Sequence, residues 1–75
     1  MFQKVDQNTP IIQAGDDIKI TVGRNMRCGT VDNAHYWGNR LIGLEFEDEQ
    51  FGQVYWKEND GGLVEVDLMP VVGGK

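Results

Sequence analysis

Apolar and polar positions alternate with a period of two in most of the chain, the signature of strands with one buried face. From Asp17 to Val22, Ile18, Ile20 and Val22 fall on one side and Lys19 and Thr21 on the other. Gly23-Arg24-Asn25 then supplies a turn, and strand-like sequence resumes from Arg27 to Asn33 around Cys28, Gly29 and Val31, predicting a hairpin. From His35 to Asn39 two adjacent aromatics and a Gly-Asn pair interrupt the pattern, predicting a loop. The clearest strand spans Arg40 to Glu47, where Ile42, Leu44 and Phe46 alternate with Leu41, Gly43, Glu45 and Glu47. Asp48-Glu49 reads as a tight turn into a fourth strand, in which Gly52, Val54 and Trp56 alternate with Phe51, Gln53, Tyr55 and Lys57. The run Glu58-Asn59-Asp60-Gly61-Gly62 is the strongest turn signal, and Leu63 to Leu68 closes the set before Pro70. No stretch carries a helical repeat of useful length. Short strands at regular spacing predict an all-β fold, a small five-stranded SH3-like barrel over residues 15–70, with a mobile arm over 1–14 and a tail over 71–75.

The predicted interior is Ile18, Ile20, Ile42, Leu44, Phe46, Val54, Trp56, Val64 and Val66, with Ile11 and Ile12 of the arm available to dock. A chain of 75 residues buries only about 60% of the surface it exposes when unfolded, so each strand face must contribute. The apolar runs are far shorter than the roughly 20 residues that cross a bilayer, and Met1 to Pro10 lacks the basic start and apolar block of a signal peptide. Cys28 is the single cysteine, which excludes an internal disulfide and any multi-thiolate zinc site. The expectation is a cytoplasmic protein without membrane association.

Charge is unevenly placed: residues 1–40 carry a net +1 and residues 41–75 a net −6. An acidic half repels phosphates, which argues against nucleic acid and leaves Lys19, Arg24, Arg27 and Arg40 as the one basic stretch where it could bind. Reaction chemistry is sparse. The chain has no serine, its one histidine, His35, has no companion at metal-ligand spacing, and its glycines form no phosphate-cradling loop. No cofactor or metal is implied, and the chain reads as non-catalytic.

Candidate binding residues are the aromatics Tyr36 and Trp37, in the predicted loop, and Phe51, Gln53 and Tyr55, which point out of the fourth strand if Val54 and Trp56 point in. Tyrosine and tryptophan bring large contact area at low entropic cost. Glu47, Asp48 and Glu49, with Glu45, form an acidic hairpin tip suited to a basic partner, or to a solvated edge that discourages aggregation. The expected partner is a protein or peptide, with a homo-oligomer as the other way to cover the aromatic face.

The opening Gly15-Asp16-Asp17-Ile18-Lys19-Ile20, followed by Cys28-Gly29-Thr30-Val31, resembles the first hairpin of many SH3-like barrels. Gly29-Thr30-Val31, Leu41-Ile42-Gly43-Leu44-Glu45-Phe46 and Lys57-Glu58-Asn59-Asp60-Gly61 together look like the CAP-Gly domain, a resemblance that implies binding of acidic-aromatic tails. In that family's Gly-Lys-Asn-Asp-Gly run, Trp56 stands in place of the first glycine and Glu58 falls between the lysine and the asparagine. Gln53-Val54-Tyr55 is similar to the type II dihydrofolate reductases, SH3-like tetramers with a central pore. That resemblance implies an enzyme in which Gln53 and Tyr55 contact folate or NADPH. Gly52 replaces the family's valine, and Ile20 or Thr21 falls near its pore lysine.

Overall fold

The computed structural model describes residues 1–67. Over this span the chain is nearly all-β, as its alternation predicts. Its strands are β1 (Phe2–Lys4), β2 (Asp17–Val22), β3 (Asn25–Trp37), β4 (Arg40–Asp48), β5 (Gly52–Lys57) and β6 (Leu63–Asp67), with a 3-10 turn at Glu58–Asp60. All pair antiparallel in one open sheet of order β1-β6-β2-β3-β4-β5, so β1 and β5 are its edges among the described residues. The expected stop at Pro70 and the tail over 71–75 lie outside the described residues.

The sheet has six strands, where the alternation predicts five. The additional one, β1, pairs with β6 in the register Phe2↔Asp67 to Lys4↔Glu65, and Val5 N–H continues the ladder to the Val64 carbonyl at 2.9 Å. Three residues are too few to display a period, so this strand exists only because an edge of β6 is there to receive it. The segment expected as an arm therefore joins the fold. Its Ile12 is 3% exposed in the core, while Ile11 stays exposed.

One face of the sheet carries the core: Ile18 and Ile20 from β2, Val31 from β3, Leu44 and Phe46 from β4, Trp56 from β5, and Val64 and Val66 from β6, with Ile12 laid across them. Val54 packs against this cluster only partly buried, and Val22 is exposed at the end of β2. Ile42, expected inside, is exposed, and Leu41 packs on the core instead. The reason is a bulge. The β3–β4 register steps from His35↔Gly43 to Tyr36↔Leu41, leaving Ile42 unpaired and reversing the faces beyond it. A second shift between Val31 and Asn33 sets Asp32 aside in the same manner.

The expected loop over His35 to Asn39 is mostly strand. β3 runs through Trp37, and only Gly38 and Asn39 turn, with Gly38 at φ +64°, a conformation that glycine adopts without steric cost. At Gly29, paired with Asp48, the backbones of β3 and β4 come so close that a Cβ would lie 2.1 Å from the Glu47 carbonyl oxygen. Gly29→Ala is expected to lower stability by about 1–3 kcal/mol in chemical denaturation, the usual cost of forced overpacking. Ile42→Thr, on the bulge, is expected to stay within about 0.5 kcal/mol of the parent.

Candidate binding cleft

Where the ends of β3, β5 and β6 converge with the chain leaving β1, the open sheet leaves a cleft of about 610 Å³. Its apolar wall is made by Val5, Tyr36, Trp37, Leu41, Trp56 and Val64. Strand geometry aims these side chains. Tyr36 and Leu41 are directly paired and so project to one face, and the hydroxyl oxygen of Tyr36 accepts a hydrogen bond from Ile12 N–H at 3.0 Å. That bond fastens the segment before β2 beneath the cleft. Trp56 is almost fully buried and donates its indole N–H to the Gly61 carbonyl at 3.1 Å, which fixes the ring as part of the floor. Trp37 is 78% exposed on the rim.

The charged residues of the cleft are largely spoken for. Arg40 Nε donates to Glu58 Oε2 at 2.5 Å across the mouth. Asp6 accepts from Asn8 N–H at 2.8 Å and from the Thr9 hydroxyl at 3.1 Å. The Asn8 bond above all, then the Thr9 hydroxyl, holds the Asp6 carboxyl below its ordinary range. The cleft thus combines an apolar aromatic wall with one ion pair, Arg40–Glu58, at its mouth.

The residues singled out in the sequence do not form one surface. Tyr36 and Trp37 line the cleft, as components of a strand end and not of a loop. Phe51 precedes β5, in the β4–β5 turn, and the Arg27 guanidinium stacks over its ring at 4.5 Å. Tyr55 stands on the outer face, edge-on to the His35 ring at 6.1 Å, and its hydroxyl approaches to 3.1 Å of where a Gly43 Cβ would sit. It covers the gap that the glycine leaves in the sheet. Gln53 is exposed on β5. Glu47 and Glu49 are exposed at the far end of β4, but Asp48 is 6% exposed and cannot serve as a surface charge there. Its partner Gly29 is opposite the core residue Ile18, which places Asp48 on the inward face. Its Oδ1 accepts from Gln50 N–H at 2.7 Å and Phe51 N–H at 3.0 Å, so it forms the turn.

The basic residues are also dispersed. Lys19 pairs with Glu65 at 3.6 Å and lies 4.9 Å from the Phe2 ring centre, Arg27 covers Phe51, and Arg40 holds Glu58. His35 belongs to β3 and contacts Glu45 Oε2 at 2.6 Å. Cys28 is a half-buried free thiol in β3. Among the described residues no three His, Cys, Asp or Glu side chains are placed to share a metal ion, and no helix is long and apolar enough to cross a membrane. Val5, Leu41 and Glu58 were not among the candidate binding residues of the sequence; they reach the cleft from separate elements and no spacing announces them.

Comparison of the chain with protein-family models, with curated proteins and with solved structures gave no match. Tyr36→Phe removes the acceptor for Ile12 N–H and keeps the ring. It is expected to cost about 1 kcal/mol in denaturation and to speed hydrogen exchange at the Ile12 amide.

Proposed function

We propose that this chain is a non-catalytic module that binds an extended protein or peptide segment in the cleft beside Trp37. The observation that carries this reading is an exposed indole at the rim of a cleft of about 610 Å³ whose floor, Trp56, is already fixed. A rigid aromatic anchor over a preformed apolar pocket is the arrangement in which a few side chains supply most of a binding energy. The apolar wall, with Arg40 already engaged by Glu58 at the mouth, favours a segment that brings apolar side chains into the cleft.

Glu47 and Glu49 contribute differently. At a strand rise of about 3.3 Å per residue, Glu47 lies roughly 23 Å along β4 from Arg40. The acidic end therefore acts on a basic partner by steering its approach, and not inside the cleft. The finer fold assignment belongs to the same proposal: an SH3-like small barrel open at one seam. Its support is that β2 to β5 form a meander and that β6 returns to pair with β2.

A random-peptide display library selected on the immobilised chain tests the reading. Selected peptides are expected to lose about 30-fold in affinity on Trp37→Ala, as removal of an anchor of about 2 kcal/mol requires. Tyr55→Ala, on the outer face, is expected to leave them within about twofold. Full binding to the Trp37→Ala chain would discard the cleft as the site.

A second reading, a homo-oligomeric reductase of the type II dihydrofolate reductase kind, draws on one observation: Gln53 and Tyr55 are both exposed on edge strand β5. Loss of NADPH absorbance in the presence of dihydrofolate separates the two. The peptide-binding reading expects a rate equal to that without protein.

A further inference from the structure

The two edges of the sheet differ. β1 has three residues, one of them a lysine, whereas β5 has six, no proline and one charge, Lys57, at its end. A long, neutral edge is a template for another strand unless something blunts it. Two details of β5 specify which strand. Lys57 N–H donates to Asp60 Oδ2 at 3.1 Å, so it points away from β4. In an antiparallel ladder the N–H and C=O of a residue face the same side and alternate along the strand. Gln53 and Tyr55 share the parity of Lys57, so their N–H and C=O groups face outward from the edge.

From this pattern we propose that β5 pairs with β5 of a second copy of the chain, antiparallel about a two-fold axis at Val54. This register sets Gln53 of each copy opposite Tyr55 of the other, and each such pair exchanges both of its backbone hydrogen bonds. It satisfies every outward group of Gln53 and Tyr55 at once. Centring the axis on Gln53 would call on Phe51, which lies outside β5, and centring it on Tyr55 would call on the Lys57 N–H that Asp60 already holds. The side chains agree with the register. Val54 meets Val54 at the axis, Trp56 stands opposite Gly52, Lys57 stands opposite Phe51, and no like charges oppose each other.

The acidity of the chain does not forbid the contact. Glu45 and Glu47 lie one strand in from the edge, so the two copies' acidic rows are separated by about three strand spacings, roughly 14 Å, beyond the screening length at physiological salt. The pairing would join two sheets into one continuous sheet with both core faces on the same side. The partner is another copy because the edge is complementary to itself in the register that its free groups select.

Light scattering and sedimentation on the full chain test the proposal. The wild-type chain is expected at twice its 8.5 kDa mass, and Gln53 and Tyr55 amide exchange is expected to slow as concentration rises. Two double variants are matched for loss of the Tyr55 ring. Gln53→Lys with Tyr55→Lys opposes like charges across the axis and is expected to raise the dimer dissociation constant more than about tenfold. Gln53→Lys with Tyr55→Glu opposes unlike charges and is expected to remain a dimer. A wild-type monomer at about 1 mM overturns the proposal, because affinity weaker than that is no assembly. A dimer indifferent to both variants, or a larger assembly, overturns it as well. The exchange experiment needs no variant and decides the question even if the substituted chains do not fold. Trp37→Ala is expected to leave the dimer intact, which keeps this test independent of the peptide cleft.

Discussion

Everything in this structure depends on one sheet having to bury one face with very little chain. A small domain has a thin stability margin. The core face must therefore be continuous from β6 through β2, β3 and β4 to β5, and residues from outside the main strands must complete it. Ile12 fills the space that strand residues leave, and Tyr36 ties its backbone down. Among the described residues no buried side-chain nitrogen or oxygen lacks a hydrogen-bond partner. Asp48 is the instructive case: an aspartate on the inward face is tolerated because two backbone N–H groups meet its carboxylate.

The cleft follows from the same constraint. An open sheet with β1 and β5 as its edges cannot close its interior by strand pairing, and the gap is left where the chain passes between β1 and β2. Trp56 and Leu41 plug it from inside, and Trp37, paired with Arg40 at the end of the strand beside the turn, remains exposed on the rim. Bulges decide which side chains are available. The step at Ile42 turns Leu41 and Tyr36 inward together, and without it Leu41 would face away from the core and the wall of the cleft would be missing.

Much of the fold was legible in the sequence, and the misses have identifiable causes. Alternation placed Ile18, Ile20, Leu44, Phe46, Trp56, Val64 and Val66 inside, and each is buried. Ile42 failed because one unpaired residue reverses a period of two, and a bulge has no signature in the strand that carries it. β1 was missed because a three-residue edge strand depends on a partner more than fifty residues away, whereas Ile12, one of the two arm isoleucines expected to be able to dock, does enter the core. Of the aromatics, Tyr36 and Trp37 do share a surface. Phe51 and Tyr55 part company at the β4–β5 turn, where Gly52 at φ +76° breaks the strand geometry that would have kept them on one face.

By itself the sequence determined that the chain is a β-protein, most of the residues its regularly alternating strands bury, and that its acidic charge gathers in the second half, because these follow from local periodicity and composition. The tertiary structure alone decided that β1 exists, that the two edges differ, that Asp48 turns inward, and that Tyr36, Trp37, Leu41 and Trp56 meet around one cleft. Those outcomes require contacts between distant segments and shifts of register, and neither is written in the neighbours of a residue along the chain.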